Sequence, residues 1–182
     1  VLYTKESNKL LCYPNIKMDR SYMIEDGTKV VVRSAFQGNQ YIESLVIPNS
    51  VTEIGEYAFS GTSLKNILLP SGLKRIESGL FDGSALESII VPEGIEYIHN
   101  AFEYCKGLRT IYLPSTIKSI GSRAFNDCNL SEIHCKSKFP LQIDWISNWL
   151  YNLGNPIIYV PKGSKELYEN ANYWKNYEIR EE

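Results

Sequence analysis

Histidine is nearly absent from this sequence. Its 182 residues contain two, His99 and His134. That leaves little for general-base or metal chemistry, and strand alternation turns His134 and its neighbour Cys135 to opposite faces, so adjacency does not make them a base and nucleophile pair. The G-x-S-x-G, G-x-G-x-x-G, phosphate-loop and H-E-x-x-H signatures are all missing. Acidic residues are scattered rather than paired. The expectation is a protein that is not an enzyme, with no cofactor and no bound metal. Charge of one sign is also missing: 19 Lys and Arg against 21 Asp and Glu give a net charge of −2 without blocks, which leaves no electrostatic footprint for nucleic acid. No apolar run approaches the roughly 18 residues a membrane span needs, so no membrane insertion by this segment is expected. No basic and apolar leader opens the chain, which begins on the strand-like Val1-Leu2-Tyr3. It reads as a fragment, in which a targeting signal is not expected to show. The four cysteines, at 12, 105, 128 and 135, follow no ligand spacing.

The sequence is rich in repetition. Leu64-Lys-Asn-Ile67-Leu-Leu69-Pro70, Leu86-Glu-Ser-Ile89-Ile-Val91-Pro92 and Leu108-Arg-Thr-Ile111-Tyr-Leu113-Pro114 are one phrase, and prolines fall at 48, 70, 92 and 114. Between them Ile54, Ile76, Ile98 and Ile120 each precede a phenylalanine, at 59, 81, 102 and 125. An earlier, worn copy steps by 23, from Ile24 to Ile47, Val31 to Ile54 and Phe36 to Phe59. A period near 22 means a solenoid. Alternation turns Leu45, Ile67, Ile89, Ile111 and Ile133 inward, and Pro closes each strand because it has no N–H for the ladder. A short second strand, such as Leu73–Ile76, returns on the other side, and Gly55 and Gly121 allow the next turn. Cys105 and Cys128 occupy the slot of Asn39, Thr62 and Ser84, three residues after the phenylalanine, and read as packed thiols between which a disulfide is allowed but not implied.

The ends differ. VLYTKESNKLLCYP reads as a hairpin turning at Lys5–Asn8. Asp144–Leu150 looks like a short helix capped by Asp144, and Pro156–Pro161 repeats the strand phrase. Ser164 opens a final helix with Leu167, Ala171 and Trp174 on one face, covering the last coil. The expected fold is therefore an α+β repeat: a leucine-rich-repeat solenoid with a parallel main sheet, an N-terminal hairpin and a C-terminal helical cap. One domain spans 1–182, with a hairpin cap at 1–21, repeats of about 22 residues at 22–137 and a cap with a final strand and helix at 138–182.

The phrase L-x-x-I-x-L-P-x-x-L/I-x-x-I-x-x-x-A-F-x-x-C, read from Leu108 to Cys128, resembles the BspA-type leucine-rich repeat, also called the Treponema pallidum type. Local departures are Glu25 for proline and Glu77 and His99 where other copies have Gly55 and Gly121. The resemblance implies a secreted or surface-attached protein of host-associated bacteria, some relatives being proposed adhesins for host proteins such as fibronectin. It brings no catalytic residues.

What remains is the outward column of the main sheet: Met23, Val46, Leu68, Ile90, Tyr112, His134 and Tyr159. A mostly small and polar column lies beside it, Ser21, Ser44, Asn66, Ser88, Thr110, Glu132 and Ile157. An apolar stripe turning aromatic is expected to be a ligand-binding face, although sheets favour such residues anyway. The expected function is a non-enzymatic, adhesin-like module at the cell surface. Its ligand would be a protein, whether extracellular matrix of a host or another surface protein. The alternatives are a glycan stacked on Tyr112, His134, Tyr159 and Trp145 or Trp149, or a spacer in a longer surface protein.

Overall fold

Two strands per coil and one phenylalanine per turn give a flattened tube, because each repeat can bury its apolar face only against its neighbours. A computed structural model describes residues 1–4, 8–143, 148–150 and 153–182. The expected turn at 5–7 and the helix start at 144–147, Trp145 included, lie outside the described residues.

The main sheet is parallel. Ser88–Ile90, Thr110–Leu113, Glu132–Cys135 and Ile157–Val160 follow one another in register, with Ile89, Ile111, Ile133 and Ile158 paired. At the start of the tube Ser21–Met23 pairs with Ser44–Val46, Tyr22 opposite Leu45. A lateral sheet of two-residue strands runs on the other side, Val30–Val31 beside Glu53–Ile54 and Arg75–Ile76 beside Tyr97–Ile98 beside Ser119–Ile120. The N-terminal hairpin is antiparallel as expected, with Leu2 opposite Cys12. Its second strand, Lys9–Cys12, also pairs in parallel with Val30–Val31, so it forms part of the lateral sheet.

Between the sheets the phenylalanines form a spine. Ring centroids of Phe36, Phe59, Phe81, Phe102 and Phe125 are 5.5, 5.6, 5.4 and 5.4 Å apart in succession. Tyr13 extends the spine at one end and Trp149 with Trp174 at the other. Each such aromatic contact is worth about 1 kcal/mol beyond its buried area. Two residues after each phenylalanine the backbone enters the left-handed region, at Gly38, Gly61, Gly83, Tyr104 and Asp127. Gly55 serves a different end from the expected turn: its φ is ordinary, and a Cβ there would lie 2.5 Å from Arg33 N, so the absence of a side chain lets two coils approach. Cys105 and Cys128 are buried free thiols, each donating at 3.0 Å to a carbonyl of the preceding coil, Phe81 and Phe102 respectively.

The sheets are not continuous. Among the described residues no ladder joins Ser44–Val46 to the rung of Asn66–Leu68, which pairs instead through a bridge from Leu68 to Ile90, and none joins Glu53–Ile54 to Arg75–Ile76. A seam thus crosses both sheets between the same two coils, where the repeat shortens from 23 residues to 22. The third side stays closed through Tyr57 N to Ser78 O, Phe59 N to Leu80 O and Gly61 N to Asp82 O, at 2.8 to 3.2 Å.

The expected C-terminal helix is corrected. Helix occupies Lys165–Glu169, followed by a 3-10 turn at Trp174–Asn176. Tyr173 intervenes at φ 67° and breaks the run. Leu167 is exposed, while Tyr168 is buried and donates to Ser137 O at 2.9 Å. The Ser164 side chain makes no capping bond. What covers the last strand edge is another strand, Ile179–Glu181, paired in parallel with Ile157–Val160. Too short and too charged to read as a strand, Ile179-Arg180-Glu181 forms an eighth rung. No helix among the described residues is long and apolar enough to cross a membrane.

Candidate functional site

Strand alternation places all seven residues of the outward column on one face of the main sheet, but the face has two halves. In the first, Met23, Val46, Leu68 and Ile90 are 53 to 78% exposed. In the second, rings stack on rings. Tyr112 and His134 lie 4.3 Å apart at 17°, and His134 and Tyr159 lie 4.5 Å apart at 7°. His134 is therefore 9% exposed, held between two tyrosines rather than displayed.

Polar contacts complete that clamp. His134 Nδ1 meets Glu182 Oε2 at 2.8 Å, and its Nε2 lies 3.6 Å from Glu132 Oε2. Glu182 follows the strand Ile179–Glu181, so the imidazole ties the last rung to the rung two before it. Arg180, opposite Tyr159, ends the outward column. Its Nε donates to Glu178 Oε1 at 2.7 Å. The missed signal was the short echo Ile179-Arg180 of Ile158-Tyr159. Cys135 sits inward behind His134, and burial pushes its thiol up to about 12, far from a thiolate at neutral pH. The ring faces a sugar would need at Tyr112, His134 and Tyr159 are largely spent on one another. Trp149, the other stacking candidate, is buried against Phe125 and Trp174. Among the described residues no group of three or more His, Cys, Asp or Glu side chains could hold a metal ion.

The first half is cut by the seam. There the main-sheet face opens into a groove of about 370 Å³ lined by residues 44–47, 66–68 and 88–90. Its lining is uncharged, and the nearby charges are paired with one another, Arg20 with Glu43 at 3.1 Å and Lys65 with Glu87 at 3.3 Å. The groove reaches toward the core: Leu45, Ile47 and Ile67 are 6 to 8% exposed, while Ile111, Ile133 and Ile158 are at zero.

Comparison with known proteins agrees with this architecture. A leucine-rich cell surface protein from Faecalibacterium prausnitzii A2-165 is 33% identical over 70% of this chain and 35% of its own, with a TM-score of 0.68. The pneumococcal vaccine antigen PcpA is 26% identical, covered over 100% of this chain and 46% of its own, with a TM-score of 0.83. The chain thus spans about a third to a half of these two proteins. A leucine-rich repeat protein from Bacteroides ovatus, 18% identical over 90% of this chain and 54% of its own with a TM-score of 0.54, shares the fold. No curated protein matches the chain. Residues 29–151 match the model of the BspA type leucine-rich repeat region in six copies, and with the solenoid and its repeated phrase this makes the chain a member of the BspA-type leucine-rich repeat family.

Proposed function

We propose that this chain is a non-enzymatic, surface-exposed recognition module that binds a protein partner through the first half of its main-sheet face. The observation that carries the reading is the column Met23, Val46, Leu68 and Ile90, more than half exposed at every position on rungs whose neighbouring charges are neutralised in pairs. Single exposed aliphatics are ordinary, but several aligned on one face point to a contact surface. Tyr112, opposite Ile90, borders that surface, and His134 and Tyr159 continue the column beyond it. The likeness to a cell surface protein of a gut bacterium and to a pneumococcal antigen supports an extracellular setting and a partner among matrix proteins of a host or other surface proteins.

The test is solution binding of the chain to a panel of extracellular-matrix proteins and glycans, with the double variant Leu68→Glu/Ile90→Glu alongside. Binding to a protein, lost in a variant that keeps its fold by circular dichroism, is the expected result. A hit that survives the two glutamates would sink the reading. Binding only on the glycan side would move recognition elsewhere on the molecule, and silence from both chains would favour a spacer.

A further inference from the structure

Building on that reading, we propose that the seam on the main-sheet face is a docking slot for one extended, uncharged strand of the partner, with apolar residues at alternate positions. The main chain itself argues for a strand. Ser44 N donates to Arg20 O and Val46 O accepts from Ile24 N, both at 3.0 Å, which turns the main chain of Ser44 and Val46 back toward the preceding rung. Alternation then turns the N–H and C=O groups of Leu45 and Ile47 toward the seam. On the far side Val91 N is spent on Tyr112 O at 3.0 Å. The bridge from Leu68 to Ile90 therefore uses the residues either side of Leu68, and Asn66 and Leu68 face the seam in turn.

Two strand edges thus confront each other, and no backbone hydrogen bond joins them among the described residues. A compact ligand can match one or two such groups, whereas an extended backbone matches the whole alternating row. The side-chain chemistry follows from the lining. The groove floor is formed by the edges of Leu45, Ile47 and Ile67 and its walls by Val46, Leu68 and Ile90, without a charged residue. A strand's inward residues must be apolar to sit there, and a charged one would meet no partner. Among the described residues the main-chain bonds between the two coils lie on the third side, at Tyr57, Phe59 and Gly61, beside the Phe59–Phe81 ring contact, and Ser63 Oγ donates to Gln40 O at 2.7 Å just ahead of the slot; opening the slot would pivot on these ties.

The protein's own repeat supplies a probe. Residues 86–92, LESIIVP, already lie beside the rung of Leu68 in the stack, and a synthetic peptide of that sequence with Glu87→Gln and blocked ends carries the required alternation without charge. Hydrogen exchange by NMR on the whole chain reads the outcome. In the free protein the amides of Leu45, Ile47, Asn66 and Leu68 should exchange at least 100-fold faster than that of Ile111. Adding the peptide should slow those four at least tenfold. The same peptide with Ile89→Lys, or N-methylated at Ile89 and Val91, should leave them fast. Four amides already as protected as Ile111 would mean a closed seam and overturn the proposal, as would amides the peptide does not touch. Protection that appears with rising protein concentration and no peptide would put a second copy in the slot instead of a partner. The readouts are separable: the Leu68→Glu/Ile90→Glu assay reports on side chains of the face, and a closed seam would leave its result standing.

Discussion

The coils before the seam and the coils after it are written in the same phrase yet are held differently. After it, four main-sheet strands run in one register from Ser88 onward, a fifth closes the edge, and the lateral strands pair from Arg75 to Ile120. Before it, Ser21–Met23 and Ser44–Val46 form a pair of their own, and the lateral strands attach to the hairpin. What the two blocks share across the seam is the phenylalanine spine, three turn-side main-chain bonds and the Ser63 Oγ bond to Gln40 O. Stacked repeats cooperate only as strongly as their interfaces allow, so the seam is the place where cooperativity should be weakest.

The largest effect that tests this contrast is a cavity in the spine. Phe36→Ala and Phe102→Ala each remove a fully buried ring and should cost about 3 to 5 kcal/mol. If the seam divides the molecule, Phe36→Ala will speed amide exchange at Leu10, Val31 and Ile24 while Ile111 and Ile133 stay protected. Phe102→Ala will loosen the rungs on both sides of it. Equal loss of protection throughout the chain in both variants would show one cooperative unit and break the comparison.

A second contrast concerns the two halves of the outward column. His134→Ala removes two ring contacts and the bond to Glu182 and should lower stability by about 2 kcal/mol. Leu68→Glu, at the most exposed position of the column, should change it by less than about 0.5 kcal/mol. Denaturant titration reads both. A costly Leu68→Glu beside a harmless His134→Ala would reverse the assignment of recognition to the first half and structure to the second.

Much of this was legible before any coordinates. The step of 22 residues names the inward column from Leu45 to Ile133, the lateral strands at Ile54, Ile76, Ile98 and Ile120, and the packed slot of Cys105 and Cys128. Repetition is a statement about stacking, so it reads well. It cannot report how well two particular copies stack: Leu64–Pro70 carries the same phrase as Leu86–Pro92, yet the one faces a seam and the other a full ladder. Nor does alternation say how an outward ring spends its faces. His134 was placed on the right side of the sheet and still proves buried, because its cover comes from the adjacent rungs and from Glu182, distant in sequence. The last rung is barely legible in the sequence, because three residues, two of them charged, carry only the faint echo of Ile158-Tyr159 in Ile179-Arg180.

Asp82 links the blocks chemically. Its carbonyl takes the Gly61 N–H across the closed side of the seam at 2.8 Å, and its Oδ1 accepts Glu103 N at 2.9 Å. Burial raises its carboxyl to about 6 from an ordinary 3.8, the Glu103 N–H opposing this and the Glu103 charge adding to it. A raised carboxyl means that the folded chain holds a proton between those values where the unfolded chain does not, so stability falls as pH rises through that window. Asp82→Asn keeps the acceptor and removes the charge. It should be neutral below pH 4 and stabilising by about 1 kcal/mol at pH 7, an amount reduced for partial solvent screening. Thermal unfolding of both chains at the two pH values checks this, and an equal difference at both would remove Asp82 from the account.

The smallest expected effect lies in the turn column two residues after each phenylalanine, where the coils around the seam and the later coils differ by design of the side chain alone. Gly38, Gly61 and Gly83 take φ near +70° freely, and Tyr104 and Asp127 take +62° and +57° against the clash of a Cβ with the backbone. Tyr104 is exposed, so its ring contributes little packing. Tyr104→Gly should therefore stabilise the chain by about 0.5 to 1 kcal/mol, the relief of the left-handed backbone exceeding the added freedom of the unfolded glycine. Gly61→Ala should cost about 1 kcal/mol by the same reasoning run backwards, since its Cβ would meet nothing closer than Gly38 Cα at 3.6 Å. Opposite signs in the two unfolding curves would assign the difference to backbone conformation. A loss in both would mean that the Tyr104 ring packs in solution more than its exposure indicates, and that the later coils hold part of their stability on the outside of the turn.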